Sequence, residues 1–134
     1  MAKEVTISDF NLILQLAIFA LFLTGIYAIR ARKKSLRKHR ALMGIAVMLN
    51  MVSIVMIMGR SFLNLAGSLT SRFYEFGAVV TLTHVTTGSL AQVLGILFLL
   101  KHPRKIRLVM RLATIFWAAA LLLGLVFYAY FYLL

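Results

Sequence analysis

The stretch that decides the fold is Phe10–Ile29, FNLILQLAIFALFLTGIYAI, together with the run RARKKSLRKHR that follows it at residues 30–40. The first part contains no charged side chain and has the roughly 20 residues that a helix needs to cross a bilayer. The second part carries seven lysines and arginines and no acid. A long apolar segment that ends in a basic loop predicts a transmembrane helix, with Ser8 or Asp9 as its N-cap.

Three further apolar segments follow the first one. The predicted spans lie at about residues 10–29, 41–59, 77–100 and 108–130. We interpret the less apolar residues 60–76 as a connection, with a short interfacial helix around Phe62–Ala66. Apolar residues make up 63% and charged residues 13% of the 134-residue chain, whereas soluble domains have about 45–50% and about 25%. The sequence therefore predicts a single all-α domain, an integral membrane four-helix bundle.

The distribution of charge predicts the orientation of these helices. Residues 30–40 carry seven of the 15 lysines and arginines, and residues 101–111 carry another five. The three acids, Glu4, Asp9 and Glu75, lie on the opposite side of the predicted spans. Because loops rich in lysine and arginine stay in the cytoplasm, we expect both termini on the non-cytoplasmic side of a cell membrane. The same rule accounts for the net charge of +12, so we expect membrane lipids and no nucleic acid as partners.

The residue types exclude several kinds of chemistry. The chain has no cysteine, which excludes disulfides, thiolate metal sites and cysteine nucleophiles. The few acids lie at the edges of the spans, and neither a nucleophile–base pair nor a phosphate-binding glycine loop is indicated. We therefore predict no catalytic residues.

The third predicted span is the polar one. Polar and small side chains recur there at spacings of three and four, at Thr81, His84, Gly88, Gln92 and Gly95. Interhelical hydrogen bonds and close packing at small residues explain such a stripe. The residues predicted to pack helices together are Gly88, Gln92, Gly95, Asn50, Trp117 and Gly124.

The three histidines are the candidate cofactor-binding residues, for haem or a metal. His84 lies inside a predicted span, where an ionisable side chain is a functional hypothesis by default, and a neutral imidazole is a haem or metal ligand. The alternative for His84 is a packed side chain bonded to a neighbouring hydroxyl. His39 and His102 lie among lysines and arginines, which favours solvated loop residues over ligands.

Spacing limits how these histidines can combine. His84 and His102 are 18 residues apart, about 27 Å along a helix, and cannot ligate one metal. His39 and His102 are expected on the same side of the membrane, so these two could approach each other. The second span is rich in methionine, whose thioethers suit Cu(I), but its methionines do not share one face. Copper is therefore less favoured than haem.

Short motifs along the chain resemble a known family. They are the pattern Gly25-x-Tyr27-x-Ile29-Arg30, the histidine, basic residue and methionine of His39–Met43, His84, and the spacing of Trp117, Gly124 and Tyr128. Together they span about residues 11–130 and resemble the small membrane proteins catalogued as domain of unknown function 420. Members of that family are linked to the maturation of haem–copper terminal oxidases, so the resemblance implies a respiratory-chain setting.

The chain also departs from the family pattern. A further family histidine late in the second span is replaced here by Met56, Met58 and Gly59. The family histidine before the tryptophan falls near Ile106 or Arg107 rather than at His102. A four-histidine haem or metal site would therefore be incomplete in this chain.

The sequence thus predicts an accessory or assembly subunit of a membrane-bound redox enzyme, which contacts other membrane subunits of that complex. One alternative is a small b-type cytochrome, or a copper or haem carrier, that uses His84 with His39 or His102. The other alternative is a purely structural subunit of a larger membrane complex.

The predicted orientation can be tested by cysteine accessibility, because the chain has no native cysteine. A cysteine introduced at Ser35 is expected to react with an impermeant reagent only after the membrane is opened, because residues 30–40 are expected in the cytoplasm. A cysteine at Ser71 is expected to react in intact cells and serves as the control. Labelling of Ser35→Cys from outside would show that the orientation is wrong.

Overall fold

The computed structural model describes residues 6–30, 36–71, 74–100 and 106–133, and all of its regular secondary structure is helical. The helices are α1 (Ile7–Arg30), α2 (Leu36–Ser53), α3 (Gly59–Ser71), α4 (Phe76–Leu99) and α5 (Ile106–Tyr128). Two π-helical turns, Ile54–Met58 and Ala129–Leu133, follow α2 and α5. The all-α class predicted from the sequence is confirmed.

Four helical stretches of the described chain are long and apolar enough to cross a membrane: Ile7–Arg30, Leu36–Gly67, Phe76–Leu99 and Arg107–Leu133. Each has the roughly 20 residues needed to span the hydrocarbon core. The prediction of four helices that are long and apolar enough to cross a membrane is therefore confirmed.

The first helix begins two residues earlier than the predicted N-cap. The backbone N–H of Thr6 donates to Asp9 Oδ2 at 2.8 Å, and the Asp9 N–H donates to Thr6 Oγ1 at 3.3 Å. This is a reciprocal capping box, in which two otherwise unpaired N–H groups of the helix start are satisfied. The N-cap is therefore Thr6 rather than Ser8 or Asp9, and Asp9 occupies the third helical position.

Residues 60–71 belong to a continuous helix, so the expectation of a connection with a short helix at Phe62–Ala66 is wrong for this part of the stretch. The helical backbone runs without interruption from Leu36 through the π turn at Ile54–Met58 to Ser71. A helix pairs its own N–H and C=O groups, which matters in a bilayer where an unpaired group costs several kcal/mol. Gly59 disfavours a helix by only about 1 kcal/mol relative to alanine, which is too little to end this long helix.

The chain divides into two compact units, Met1–Met58 and Gly59–Leu134. In the first unit α1 and α2 pack antiparallel, since Gly25 contacts His39 at one end and Asn11 contacts Ser53 at the other. The apolar centre of this pair contains four buried side chains, Ile18, Phe22, Ala46 and Val47.

Four polar side chains form a hydrogen-bonded network beside that apolar centre. Gln15 Nε2 donates to Asn50 Oδ1 at 3.2 Å and to Ser53 Oγ at 3.0 Å. Ser53 in turn donates to Asn11 Oδ1 at 2.7 Å and is fully buried. This network fixes the register of α1 against α2, because a shift by one turn would leave polar groups unpaired in an apolar environment.

In the second unit α4 and α5 also pack antiparallel. Their buried side chains are mostly small: Ala78, Ala91, Ala113 and Ala120, with Trp117 as the one large aromatic residue among the described core. A β-carbon at Gly88 would lie 3.8 Å from the β-carbon of Ala120. Small residues let the two helix backbones approach closely, which is how helices associate where lipid offers no hydrophobic drive.

Aromatic rings pack against one another where the start of α4 meets the end of α5 and the π turn that follows it. The rings of Phe76 and Tyr130 meet edge to face at 5.3 Å, and those of Phe127 and Phe131 lie 4.6 Å apart. A β-carbon at Gly77 would lie only 2.8 Å from Tyr130 Cε1, so the glycine makes room for the ring. Aromatic side chains of this kind are favoured at the boundary between hydrocarbon and headgroups.

Candidate functional site

The His84 imidazole bridges α4 and α5. Its Nδ1 lies 2.7 Å from the backbone carbonyl oxygen of Ala120. A carbonyl oxygen only accepts hydrogen bonds, so Nδ1 must carry the hydrogen. In the neutral imidazole the lone pair is then on Nε2, which is the nitrogen free to accept a hydrogen bond or to ligate a metal. The bond therefore selects one tautomer of His84.

The glycine at position 124 makes room for this ring. A β-carbon there would lie 3.0 Å from Cε1 and 3.4 Å from Nδ1 of His84. Gly124 is one helical turn beyond Ala120, so it clears the path from the imidazole to the carbonyl. The ring of Phe127 lies nearly parallel to the imidazole, at an interplanar angle of 23° and a centroid distance of 6.4 Å.

The partner of His84 differs from the expected hydroxyl. The hydroxyl of Thr81, which shares its helix face, donates to the Gly77 carbonyl at 2.7 Å, and that of Thr87 donates to the carbonyls of Thr83 and His84. Threonine hydroxyls in a membrane helix commonly pair with the carbonyl one turn back, which leaves them unavailable to a neighbour. The interhelical bond of His84 is consequently made to the backbone of α5.

The expectation that His39 is a solvated loop residue is wrong. His39 is the fourth residue of α2 and only 6% exposed, and its Nδ1 lies 2.8 Å from the carbonyl oxygen of Gly25 in α1. The neighbouring residues Arg37 and Arg40 are exposed. Helical geometry explains the difference. Successive residues are turned by about 100°, so among Arg37, His39 and Arg40 only His39 faces α1.

The same reasoning about the tautomer applies to His39. The Gly25 carbonyl can only accept, so Nδ1 of His39 donates and Nε2 holds the lone pair. A β-carbon at Gly25 would lie 3.3 Å from Met43 Cε, so this glycine again allows a close approach. Each helix pair thus contains one histidine whose Nδ1–H is bonded to a carbonyl of the opposite helix, near a glycine.

The residues that carry the family resemblance come together at these two histidines. Gly25, His39 and Met43 are mutual neighbours in the first pair. His84 and Gly124 are in direct contact in the second. The basic neighbours of His39 predict a loop position, and the sequence predicts only a packing role for Gly124. The spacing within each motif does not show that its members contact one another across two helices.

The described residues do not complete a metal site. Among them no group of three or more histidine, aspartate or glutamate side chains is close enough to hold a metal ion. His39 lies in the first unit and His84 in the second. His102, the third candidate ligand, falls outside the described residues. Each helix pair therefore contributes a single imidazole as a candidate ligand.

Four of the residues predicted to pack helices together are buried: Asn50, Gln92, Gly95 and Trp117. Asn50 belongs to the polar network with Gln15, and Gln92 and Gly95 are buried on α4. Trp117 is 6% exposed. The three other members of the network, Asn11, Gln15 and Ser53, are not among the predicted packing residues. Their spacing is a signal in the sequence, because Asn11 and Gln15 are four residues apart and Asn50 and Ser53 three apart, each pair on one helix face.

No family model matches this chain, and no curated protein or solved structure matches it either. The resemblance to domain of unknown function 420 therefore stays a prediction.

We predict that Gly124→Ala shifts the His84 imidazole and weakens its hydrogen bond to the Ala120 carbonyl, because the added methyl group would lie only 3.0 Å from Cε1. The loss is expected to be roughly 1 kcal/mol, the scale of an interhelical hydrogen bond in a membrane. Thermal unfolding measures the loss, and the ¹⁵N chemical shift of Nδ1 reports the displaced ring.

Gly67→Ala is the matched control, since no heavy atom lies within 4 Å of a β-carbon at that helical position. It should be neutral or slightly stabilising. An unchanged Nδ1 signal in Gly124→Ala, with stability equal to that of Gly67→Ala, would contradict the assigned role of the glycine.

Proposed function

We propose that this protein is an accessory or assembly subunit of a membrane-bound redox enzyme complex in the cell membrane, and that it acts through helix–helix contacts. The supporting observation is how little of each span the chain itself covers. At most 22% of the most apolar window of any span is buried. Large side chains such as Ile13, Val55 and Leu122 are each more than 60% exposed. In a membrane these faces are available to lipid and to other helices.

The resemblance to a family linked to oxidase maturation supports the respiratory setting of this proposal. The motif residues of this chain contact one another: Gly25 contacts His39, and Gly124 contacts His84. Residues of one motif are expected to contact one another when they serve the same structural role.

The orientation that we propose has both termini on the non-cytoplasmic side and residues 30–40 and 101–111 in the cytoplasm. The antiparallel packing of α1 and α2 supports it, because the basic end of α1 at Arg30 and the basic start of α2 then lie at the same end of the pair. Loops rich in arginine and lysine are retained in the cytoplasm during insertion.

We predict that deletion of the gene lowers the amount of one assembled respiratory complex and of its haem absorbance in isolated membranes. Complementation with Gly88→Ala should restore both, since its β-carbon would be in ordinary contact with Ala120. Complementation with Gly88→Leu should fail, because the larger side chain would force α4 away from α5.

Quantitative proteomics of the mature complex and of its precursors separates the remaining outcomes. An assembly subunit is enriched on precursors, whereas a purely structural subunit stays at a fixed ratio in the mature complex. Unchanged levels of every respiratory complex in the deletion strain would contradict the proposal.

A second candidate function, binding of haem or a metal, is favoured by the tautomer of the two histidines. Ligating imidazoles almost always donate their other N–H to a carbonyl or carboxylate, and this arrangement orients the ring and makes the free nitrogen more basic. Nδ1 of His84 and Nδ1 of His39 both donate in this way. Each helix pair would supply one imidazole ligand to a haem or a metal, and any further protein ligand would have to come from elsewhere, such as His102 or another molecule.

This candidate predicts a Soret band in the purified protein that scales with protein concentration. His84→Ala should diminish it more than His39→Ala or His102→Ala, because His84 lies farthest inside a predicted span. A band that survives His84→Ala would exclude this residue as the ligand. If His84→Gln behaves as wild type while His84→Leu does not, the role of His84 is structural.

A further inference from the structure

The end of the first helix pair presents a cluster of basic side chains that the proposed function does not use. Arg30 is the last residue of α1, and Arg37 and Arg40 lie in the first turns of α2; all three are exposed. Arg37 and Arg40 are three residues apart, which places their β-carbons about 5–6 Å from each other. We call Arg30, Arg37 and Arg40 the basic surface.

The hydrogen bond between His39 and Gly25 fixes the height of this surface along the helix pair. Arg37 and Arg40 lie within two residues of His39, or about 3 Å along the axis, and Arg30 lies five residues beyond Gly25, or about 7.5 Å. The same bond holds the His39 imidazole against α1, so the imidazole does not cover the arginine side chains.

Apolar side chains continue directly from the basic surface toward the middle of the spans. Tyr27, one turn before Arg30, is 72% exposed, and Leu23, one turn further, is 50% exposed. On α2, Ile45 is also 50% exposed. A charged surface that passes within one turn into an exposed apolar one matches the headgroup and acyl chain of a phospholipid, and does not match a soluble anion.

The chain supplies no acid to neutralise the basic surface from within α1 and α2. Their only carboxylate is Asp9, which is bonded to Thr6 at the far end of α1, 21 residues from Arg30. That separation is about 31 Å along the helix.

We propose that the basic surface binds the phosphate of an anionic phospholipid, with an acyl chain of that lipid against Leu23 and Tyr27. Guanidinium groups bind phosphate oxygens in a bidentate manner, which gives arginine an advantage over lysine at such a site. Clusters of basic residues next to a membrane helix bind anionic lipids with about a fivefold gain in affinity for each residue. The inference does not depend on the proposed function.

The test uses the purified full-length protein reconstituted in nanodiscs of phosphatidylcholine with a minor fraction of phosphatidylglycerol. Native mass spectrometry then measures which lipid remains bound after transfer to mild detergent. We expect phosphatidylglycerol to be enriched over its share of the nanodisc. The double variant Arg37→Gln/Arg40→Gln should lower this enrichment by roughly fivefold for each arginine removed, whereas Arg37→Lys/Arg40→Lys should retain part of it.

Arg107→Gln/Arg111→Gln is the matched control, because it removes the same charge from two exposed positions of α5. It should leave the enrichment unchanged. Equal losses in both double variants would show that overall charge, rather than the basic surface, attracts the lipid.

Two further outcomes, both measured on the wild-type protein, would overturn the proposal. One is wild-type protein that retains both lipids in proportion to their abundance. The other is complete displacement of phosphatidylglycerol by inorganic phosphate, which would make the site one for the free anion. Circular dichroism of each variant confirms that its helix content is intact.

Discussion

The polar groups of a membrane helix pair depend on one another, because the hydrocarbon core contains no water to replace a missing partner. An unpaired donor or acceptor there costs several kcal/mol, more than a typical interhelical hydrogen bond returns. In the described part of this chain no buried side-chain nitrogen or oxygen lacks a partner. The network of Gln15, Asn50 and Ser53 and the two imidazole–carbonyl bonds are the ways in which this requirement is met between helices.

The imidazole–carbonyl bonds also decide what the histidines can do chemically. A helical carbonyl accepts one bond from the N–H four residues later and has a second lone pair to offer, so Ala120 and Gly25 can each accept from an imidazole without breaking their helix. The donated hydrogen has to be on Nδ1, which leaves Nε2 as an acceptor. The interaction that satisfies each ring between its two helices therefore also leaves its second nitrogen available to a ligand or a hydrogen-bond donor.

The sequence predicted the helical class and the four spans because both follow from length and apolar composition, which act locally. It also placed His84 inside a span. It failed where the outcome depends on contacts between helices: His39 was assigned to a loop by its basic neighbours, although its position in the turn directs it toward Gly25. The partner of His84 is a backbone atom of α5, and a backbone carbonyl leaves no mark in residue identities.

The two candidate functions share a physical origin. Each pair contains one ligand-competent imidazole and leaves most of its apolar surface uncovered. A six-coordinate haem iron with two protein ligands needs a second side chain, and an uncovered apolar helix face in a membrane can accommodate another helix as readily as lipid. If one partner helix supplies the second ligand and also covers the apolar face, contact with that partner and binding of the cofactor become the same event. An accessory subunit that offers a ligand to a redox complex would then lose cofactor and partner together when His84 is replaced, whereas a carrier would lose the cofactor alone.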